Sequence, residues 1–265
     1  MKRQLSKIIL LLTLAIILLS GCEKENVVPQ KPQSDYFDVI IEFFSNVQCS
    51  LCAEVACVMD SVQEYFDNHD DGKRPIIIEY HPAIPADDPF YRKNPEIQQA
   101  RQSFYGVVGE LPQVFLDGHQ LDSAVFKNSE AIITEIKEQK LLTKPASIDI
   151  EYQLTQDSII VSGTITADSS LQGQLYAMLT RRVAKFDEAP GISGQKEFHF
   201  VAVSIMPAEA GEFVAIQKNK THNFRYFFPL PDEIIGCQTS SYTVLVIMQN
   251  MDKIVLAAKA IDISQ

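Results

Sequence analysis

The stretch FFSNVQCSLCAEVACVMDSVQEYF, residues 43–66, carries the strongest signal of fold and function in this chain. Cys49 and Cys52 form a C-x-x-C pair at the point where an apolar run ends and a helical pattern begins. Backbone N–H groups and the helix dipole at such a position stabilise a thiolate. A spacing of three residues also lets the two sulfur atoms meet within one helical turn. The pair is therefore predicted to exchange disulfides, with one sulfur attacking and the other resolving the mixed disulfide.

Helical periodicity assigns different roles to the two cysteines. At about 100° per residue, Cys52 falls on an apolar stripe that is predicted to face a sheet. The other members of this stripe are Val55, Ala56, Met59, Val62 and Phe66. Cys49 lies at the open end of the same helix. We therefore predict that Cys49 is the catalytic nucleophile and that Cys52 is the shielded, resolving thiol.

Strand and helix patterns alternate on both sides of this stretch. The runs DVIIEFFS (38–45), PIIIEYH (75–81) and PQVFLDG (112–118) predict strands, and residues 95–106 and 129–142 predict helices. With the helix of the C-x-x-C segment and a short return strand, the order is βαβαββα. This order is typical of an open α/β layer.

The pattern changes after Lys144 and Pro145, where seven strand-like runs follow one another, many alternating between apolar and polar residues. Such a series is typical of a β-sandwich. The sequence therefore predicts an α/β domain over residues 37–144 and an all-β, immunoglobulin-like sandwich over residues 145–265.

The N-terminus has the pattern of a secretory signal. Three basic residues precede an apolar run over residues 8–19. The run ends in LLSGC, residues 18–22, which resembles the lipobox of bacterial lipoproteins. The resemblance implies removal of residues 1–21 and lipidation of Cys22, followed by a polar tether over residues 22–36; an ordinary signal peptide is the alternative.

A lipid at Cys22 would anchor the protein to a membrane through burial of its acyl chains. The expected location is the bacterial cell envelope, with the outer membrane favoured and the protein facing the periplasm or the cell surface. Such a compartment permits disulfides.

Composition and charge narrow the range of partners. The chain has 23 Lys and Arg against 34 Asp and Glu, a net charge of −11. This balance argues against a nucleic-acid partner, because phosphate binding requires a basic surface. No run of 18 apolar residues is present, so membrane association is expected only through the lipid anchor.

Cys57 points away from the apolar stripe of the helix. Since an exposed, unpaired thiol is unusual in an exported protein, one hypothesis is a structural disulfide between Cys57 and Cys237. The other is that both thiols are unpaired and partly covered by packing.

The layout of strand, C-x-x-C, helix, strand and a later proline at a strand start resembles the thioredoxin-like superfamily. The segment GVVGELPQVFLDG, residues 106–118, matches the proline region of that family. The resemblance implies a cis Pro112 facing the cysteines, a Leu111 backbone that binds the substrate chain, and no cofactor or metal. It also implies that Glu42 relays a proton to Cys52; an edge carboxylate or a lysine partner is the alternative for Glu42.

A closer resemblance is to exported thioredoxin-like lipoproteins grouped with outer membrane protein 28. Besides the lipobox, it rests on Glu42, His81, Asp88-Pro89-Phe90, Arg101 and Tyr105-Gly106-Val107. It implies that His81 lies near the substrate groove, although a single His near a turn is more often structural. Asp88 and Arg101 are expected to pair as a structural clamp. The Ser50-Leu51 dipeptide differs from the Gly-Pro of thioredoxin, which leaves the redox potential and the direction of electron flow open.

Three functions fit these patterns. The leading hypothesis is a lipid-anchored thiol–disulfide oxidoreductase that acts on thiols or disulfides of exported proteins or of a redox partner protein. The second is a binding or assembly lipoprotein in which Cys49–Cys52 is a structural disulfide on a scaffold. The third is a copper-handling protein that uses Cys49, Cys52 and His81, because soft thiolates favour Cu(I).

Overall fold

The computed structural model describes residues 36–69, 73–231, 237–239 and 241–263. The predicted signal segment, Cys22 and the predicted tether up to residue 35 lie outside the described residues. Among the helices that are described, none has the length and apolar character needed to cross a membrane.

The first half of the chain alternates strands and helices as its periodicity predicts. Its elements are β1 (Tyr36–Phe44), α1 (Ser50–Asp67), β2 (Arg74–Tyr80), α2 (Pro89–Lys93), α3 (Pro95–Tyr105), β3 (Gln113–Leu116), β4 (His119–Gln120), α4 (Ser123–Phe126) and α5 (Ser129–Lys140). Strand β1 lies between β2, which is parallel to it, and β3, which is antiparallel.

The second half is built from strands. They are β5 (Ala146–Leu154), β6 (Ser158–Ala167), β7 (Leu171–Phe186), β8 (Glu197–Met206), β9 (Glu212–Ile216), β10 (Thr221–Pro229), β11 (Cys237–Thr239), β12 (Tyr242–Gln249) and β13 (Val255–Ile263). All seven predicted runs form strands, and β9 and β11 are additional.

The predicted fold class, a thioredoxin-like α/β domain followed by a separate sandwich, is wrong. A single mixed sheet of ten strands crosses both halves in the order β13-β12-β7-β8-β2-β1-β3-β4, with β9 and β11 also paired to β7. The halves join where β2 and β8 run parallel, at the pair Glu79 and Val201. Of the residues that the structure describes, 45% lie in strands and 23% in helices. Periodicity identifies a strand from its own side chains, but the partner of each strand is chosen by long-range packing. The boundary near residue 144 stays a prediction.

Both faces of this sheet are covered. Helices α1 and α5 pack on one face of β1, β2 and β3, and α3 packs on the opposite face together with residues of β7 and β12. The remaining strands form a three-stranded sheet in the order β10-β6-β5, which encloses a third apolar cluster against β7, β12 and β13. The C-x-x-C segment lies at the end of β1, on the side covered by α1.

Candidate redox site

Cys49 and Cys52 form a disulfide at the N-terminus of α1, with their Cα atoms 5.2 Å apart. Cys49 is the N-cap residue, and its Sγ accepts a hydrogen bond from the Cys52 amide at 3.1 Å. Cys52 is 1% exposed, whereas Cys49 is half-buried. The buried residues of α1 are those of the predicted stripe: Cys52, Val55, Ala56, Met59, Val62 and Phe66. Cys49 is therefore the more accessible sulfur of the pair.

The loop before β3 forms the opposite wall of the site. The Leu111–Pro112 peptide bond is cis, as the resemblance to the thioredoxin-like superfamily implies. The Leu111 carbonyl oxygen lies 3.5 Å from Cys49 Sγ. Pro112 is buried and Leu111 half-buried, while Val108 in the same loop is exposed. The structure thus brings together four of the predicted residues: the two cysteines, Leu111 and Pro112.

The turn of residues 46–48, which precedes Cys49, is tied to the segment after β2. The Asn46 side-chain amide donates to the carbonyl oxygens of Pro82, at 2.8 Å, and Ala86, at 3.0 Å. The Val47 amide donates to Asp88 Oδ2 at 2.9 Å. The turn closes on itself, since the Cys49 amide donates to the Asn46 carbonyl at 3.0 Å. Cys49 is therefore held by a network that begins in another segment of the chain.

The connection between β7 and β8 packs against the other side of this turn. The Ser193 amide donates to the Val47 carbonyl at 3.1 Å, and the Ile192 amide to Gln48 Oε1 at 3.4 Å. Gly191 lies so close that a Cβ atom there would be 2.2 Å from the Val47 carbonyl oxygen. The second half of the chain thus contributes to the site. Sequence reasoning missed these residues. The Pro-Gly and Ser-Gly pairs within residues 190–194 could have indicated a turn, but not its place beside Cys49.

Glu42 does not lie with the cysteines, and its predicted role as their proton relay is wrong. Because side chains alternate along a strand, Glu42 shares a face with Ile40 and Phe44, whereas Ile41 and Phe43 face the helix that carries Cys52. The alternative of a lysine partner or an edge carboxylate is also incorrect, since Glu42 is buried and pairs with an arginine.

A buried polar cluster surrounds this carboxylate, and we call it the Glu42 cluster. Arg101 Nη2 donates to Glu42 Oε1 at 2.6 Å, and the Tyr80 hydroxyl donates to the same oxygen at 2.9 Å. The Tyr105 hydroxyl donates to Oε2, and Arg101 Nη2 also donates to Gln249 Oε1 at 2.7 Å. Burial and the Glu42 charge raise the pKa of Tyr80 and of Tyr105 well above the usual value. The cluster connects β1, β2, α3 and β12, and so links the two halves.

His81 is fully buried and not in a substrate groove, so its predicted substrate-binding role is wrong. Its Nδ1 lies 2.9 Å from Asp88 Oδ2 and its Nε2 lies 3.3 Å from Glu79 Oε1. The rings of Phe90 and Phe198 cover it. We call His81, Asp88 and Glu79 the His81 cluster. Burial lowers the pKa of His81, but the charges of Asp88 and Glu79 outweigh it and raise the pKa to about 10.

The pairs in these clusters also correct two further expectations. Asp88 and Arg101 do not clamp each other, because Asp88 pairs with His81 and Arg101 with Glu42. Since both ring nitrogens of His81 face carboxylates, His81 is not placed to bind copper with the cysteines. No group of metal-ligating side chains is found in the part of the chain that the structure describes.

Cys57 is a free, exposed thiol, which corrects the hypothesis of a Cys57–Cys237 disulfide. Cys57 lies on the solvent side of α1, opposite the buried stripe. The backbone of Cys237 pairs with Phe186 of β7, and its side chain is outside the described part of the structure.

Comparisons with known proteins support the fold alone. No family model and no curated protein matches the chain. A crystal structure of a protein from Agrobacterium tumefaciens, determined by a structural genomics consortium, is 13% identical; the match covers 88% of this chain and 96% of that one with a TM-score of 0.50. The match spans both halves, in agreement with a sheet that takes strands from both halves of the described chain.

Two glycosidases match at lower structural similarity. β-Glucosidase 3B from Thermotoga neapolitana is 9% identical over 78% of this chain and 23% of its own, with a TM-score of 0.28. A β-glucosidase from Kluyveromyces marxianus is 11% identical over 46% of this chain and 15% of its own, with a TM-score of 0.25.

Proposed function

We propose that this protein is a thiol–disulfide oxidoreductase in which Cys49 is the reacting sulfur and Cys52 the resolving sulfur. The observation that carries the proposal is the half-buried Cys49 Sγ at a helix N-terminus, 3.5 Å from the carbonyl oxygen that precedes Pro112. A disulfide that served stability alone would not require one sulfur to be accessible beside a backbone wall. The substrate class is a thiol or disulfide of an exported protein or of a redox partner.

The exchange takes place in two steps. In the reducing direction, the Cys49 thiolate attacks a substrate disulfide, forms a mixed disulfide and releases one substrate thiolate. The Cys52 thiolate then attacks Cys49 Sγ, which forms the Cys49–Cys52 disulfide and releases the second substrate thiolate. Two electrons pass from the dithiol to the substrate, and a second thiol or disulfide protein restores the starting state. The oxidising direction is the reverse.

The helix N-terminus and the Cys52 amide supply the stabilisation that Cys49 needs as a thiolate. The amide already donates to Sγ in the disulfide, at 3.1 Å, and the same donor is available to a thiolate. When Cys49 carries a proton, its thiol can donate to the Leu111 carbonyl oxygen. No organic cofactor or metal takes part in this chemistry.

The proposed location is the bacterial cell envelope, on a lipid anchor at Cys22. This part of the proposal rests on the signal pattern and on LLSGC, residues 18–22. A mass spectrum of the protein isolated from membranes, with a diacylated or triacylated N-terminal Cys22, would support it; an unmodified N-terminus after residue 21 or cleavage elsewhere would contradict it.

Trapping of a mixed disulfide tests the catalytic assignment. The trapping variant combines Cys52→Ala with Cys57→Ser, because the exposed Cys57 thiol could form adducts of its own. The probe is a disulfide-bonded peptide, and the product is resolved on a non-reducing gel. We expect a stable adduct at Cys49, whereas the matched control Cys49→Ser with Cys57→Ser, which keeps the buried Cys52, gives none. Cys22 and Cys237 are present in both variants, so an adduct at either of them would appear in the control as well.

The scaffold hypothesis predicts the opposite result. If the trapping variant forms no adduct, and if the wild-type protein does not accelerate reduction of the peptide by dithiothreitol, then the disulfide is structural and the proposed function is wrong.

A further inference from the structure

We infer that Asp88 and His81 are positioning residues that hold the turn before Cys49 and thereby set the redox equilibrium of the Cys49–Cys52 disulfide. The inference rests on the proposed function and adds to it the means by which the fold controls the reacting sulfur.

Asp88 joins three segments through one carboxylate. Its Oδ2 accepts from the Val47 amide at 2.9 Å and from His81 Nδ1 at 2.9 Å, and its Oδ1 accepts from the Phe90 amide at 2.8 Å. The Phe90 bond caps α2. The Val47 bond is only two residues from Cys49, so the position of this carboxylate is transmitted directly to the turn.

His81 fixes this carboxylate in turn. It lies at the end of β2 with no exposed surface, and its backbone amide donates to Gln98 Oε1 at 2.7 Å. The charged groups that face it are Asp88 and Glu79, and the aromatic rings of Phe90 and Phe198 enclose it from α2 and β8. Because His81 has no exposed surface, a water molecule cannot replace Asp88 as the partner of its imidazolium. Oδ2 of Asp88 therefore keeps its direction towards the Val47 amide.

The turn cannot relax in the other direction, because the β7–β8 connection blocks it. Gly191 and Ser193 contact the Val47 carbonyl, and a side chain at position 191 would not fit there. The turn is therefore held from two sides, and Cys49 is carried by it through the bond from the Cys49 amide to Asn46.

This placement matters for the redox equilibrium because the two states differ in what they require of the backbone. The disulfide fixes the two sulfur atoms covalently, whereas the Cys49 thiolate depends on its alignment with the helix N-terminus and the Cys52 amide. Loosening the turn is expected to destabilise the Cys49 thiolate more than it destabilises the Cys49–Cys52 disulfide. It should raise the pKa of the Cys49 thiol and shift the equilibrium towards the disulfide.

Asp88→Asn in the full chain tests this role. The amide keeps one oxygen, which can still cap Phe90, but it presents an NH₂ group where Oδ2 now accepts from Val47 and His81. The equilibrium of Cys49–Cys52 with a glutathione buffer and the pH dependence of Cys49 alkylation are measured on folded protein. We expect a shift of at least threefold towards the disulfide and a higher Cys49 thiol pKa.

The sign of the change separates positioning from simple electrostatics. Removal of the Asp88 charge alone would favour the Cys49 thiolate and shift the equilibrium towards the dithiol. The matched control is Glu42→Gln, which makes the same isosteric change in a buried ion pair on the opposite face of β1. We expect the control to lower stability but to leave the equilibrium within 1.5-fold of wild type.

Gly191→Ala provides a second variant that changes no charge. It displaces the Val47 carbonyl from the other side, and we expect a shift of at least twofold towards the disulfide. This variant decides the question if Asp88→Asn fails to fold. An equilibrium within 1.5-fold of wild type, a shift towards the dithiol, or an equal shift in Glu42→Gln would overturn the inference.

The outcome is separable from that of the proposed function. If Asp88→Asn shifts the equilibrium but the trapping variant forms no adduct, the positioning role stands and the oxidoreductase function fails. If the adduct forms and the equilibrium does not move, the function stands and the positioning role is wrong.

Discussion

The Glu42 cluster and the His81 cluster are both buried, charged and close to the end of β1, yet they lie in different surroundings. The Glu42 cluster joins β1, β2, α3 and β12 across the sheet. None of these hydrogen bonds reaches the turn before Cys49. The His81 cluster reaches that turn through the Val47 amide. The comparison teaches that burial of charge does not identify a functional residue. What distinguishes the two clusters is the backbone to which each is connected.

The first way to sharpen this comparison is to break the Glu42 cluster. Arg101→Met leaves Glu42 buried without its cation, and removal of one partner of a buried ion pair costs about 3–5 kcal/mol. We expect the free energy of unfolding, measured with urea on the oxidised protein, to fall by about that amount. The glutathione equilibrium of the folded variant should not change. A shift in that equilibrium would show that the two clusters are coupled.

Tyr105→Phe is a milder change in the same cluster. It removes the hydroxyl that donates to Glu42 Oε2 and keeps the ring, which packs against Phe115. A hydrogen bond to a charged group contributes about 1.5–3 kcal/mol, and we expect a loss of stability in that range by urea unfolding. The surface hydrogen bond of Lys137 to the Tyr65 hydroxyl offers a control, because Tyr65→Phe should have little effect. Equal losses for the two variants would contradict the importance of the buried carboxylate.

The His81 cluster should reveal itself through pH. The pKa of His81 is about 10 in the folded protein and about 6.5 when unfolded. Its contribution to stability is therefore fully present below about pH 6.5 and is lost as the pH rises through the folded value. Between these limits, wild type should lose about 1.4 kcal/mol per pH unit relative to His81→Gln.

The difference between the two proteins isolates His81 from another histidine. His199 is bonded to Asp60, which raises its pKa to about 9, and it is present in both proteins. Urea unfolding of both at pH 7, 8 and 9 provides the measurement. Parallel pH profiles would mean that His81 is not protonated in the folded state.

The smallest effect is expected at Cys57. Because its side chain is exposed and free, Cys57→Ser should change the free energy of unfolding by less than about 0.5 kcal/mol. The glutathione equilibrium of Cys49–Cys52 should also stay the same. A large loss of stability on replacing Cys57 would contradict the assignment of Cys57 as an exposed, unpaired thiol.

The sequence by itself determined the local elements of this protein. The apolar stripe of α1 and the seven strand-like runs of the second half could be predicted, because each depends on the periodicity of its own side chains. The same argument placed Cys49 at the open end of the helix and Cys52 on its buried face. The position of Pro112 opposite them did not come from periodicity; it was implied by the resemblance to the thioredoxin-like superfamily.

Tertiary structure alone decided how these elements combine. Glu79 and Val201 are 122 positions apart, and no local pattern indicates that β2 and β8 pair and merge two expected domains into one sheet. Glu42 attracts attention in the sequence as a charge inside an apolar run, and His81 as the residue that ends the second predicted strand. Their partners Arg101 and Asp88 are fixed by the packing of the strands and not by a local pattern. The turn before Cys49 is likewise held by Gly191 and Ser193 from a distant hairpin. Contacts of this kind depend on the packing of the whole chain, which short-range periodicity does not encode.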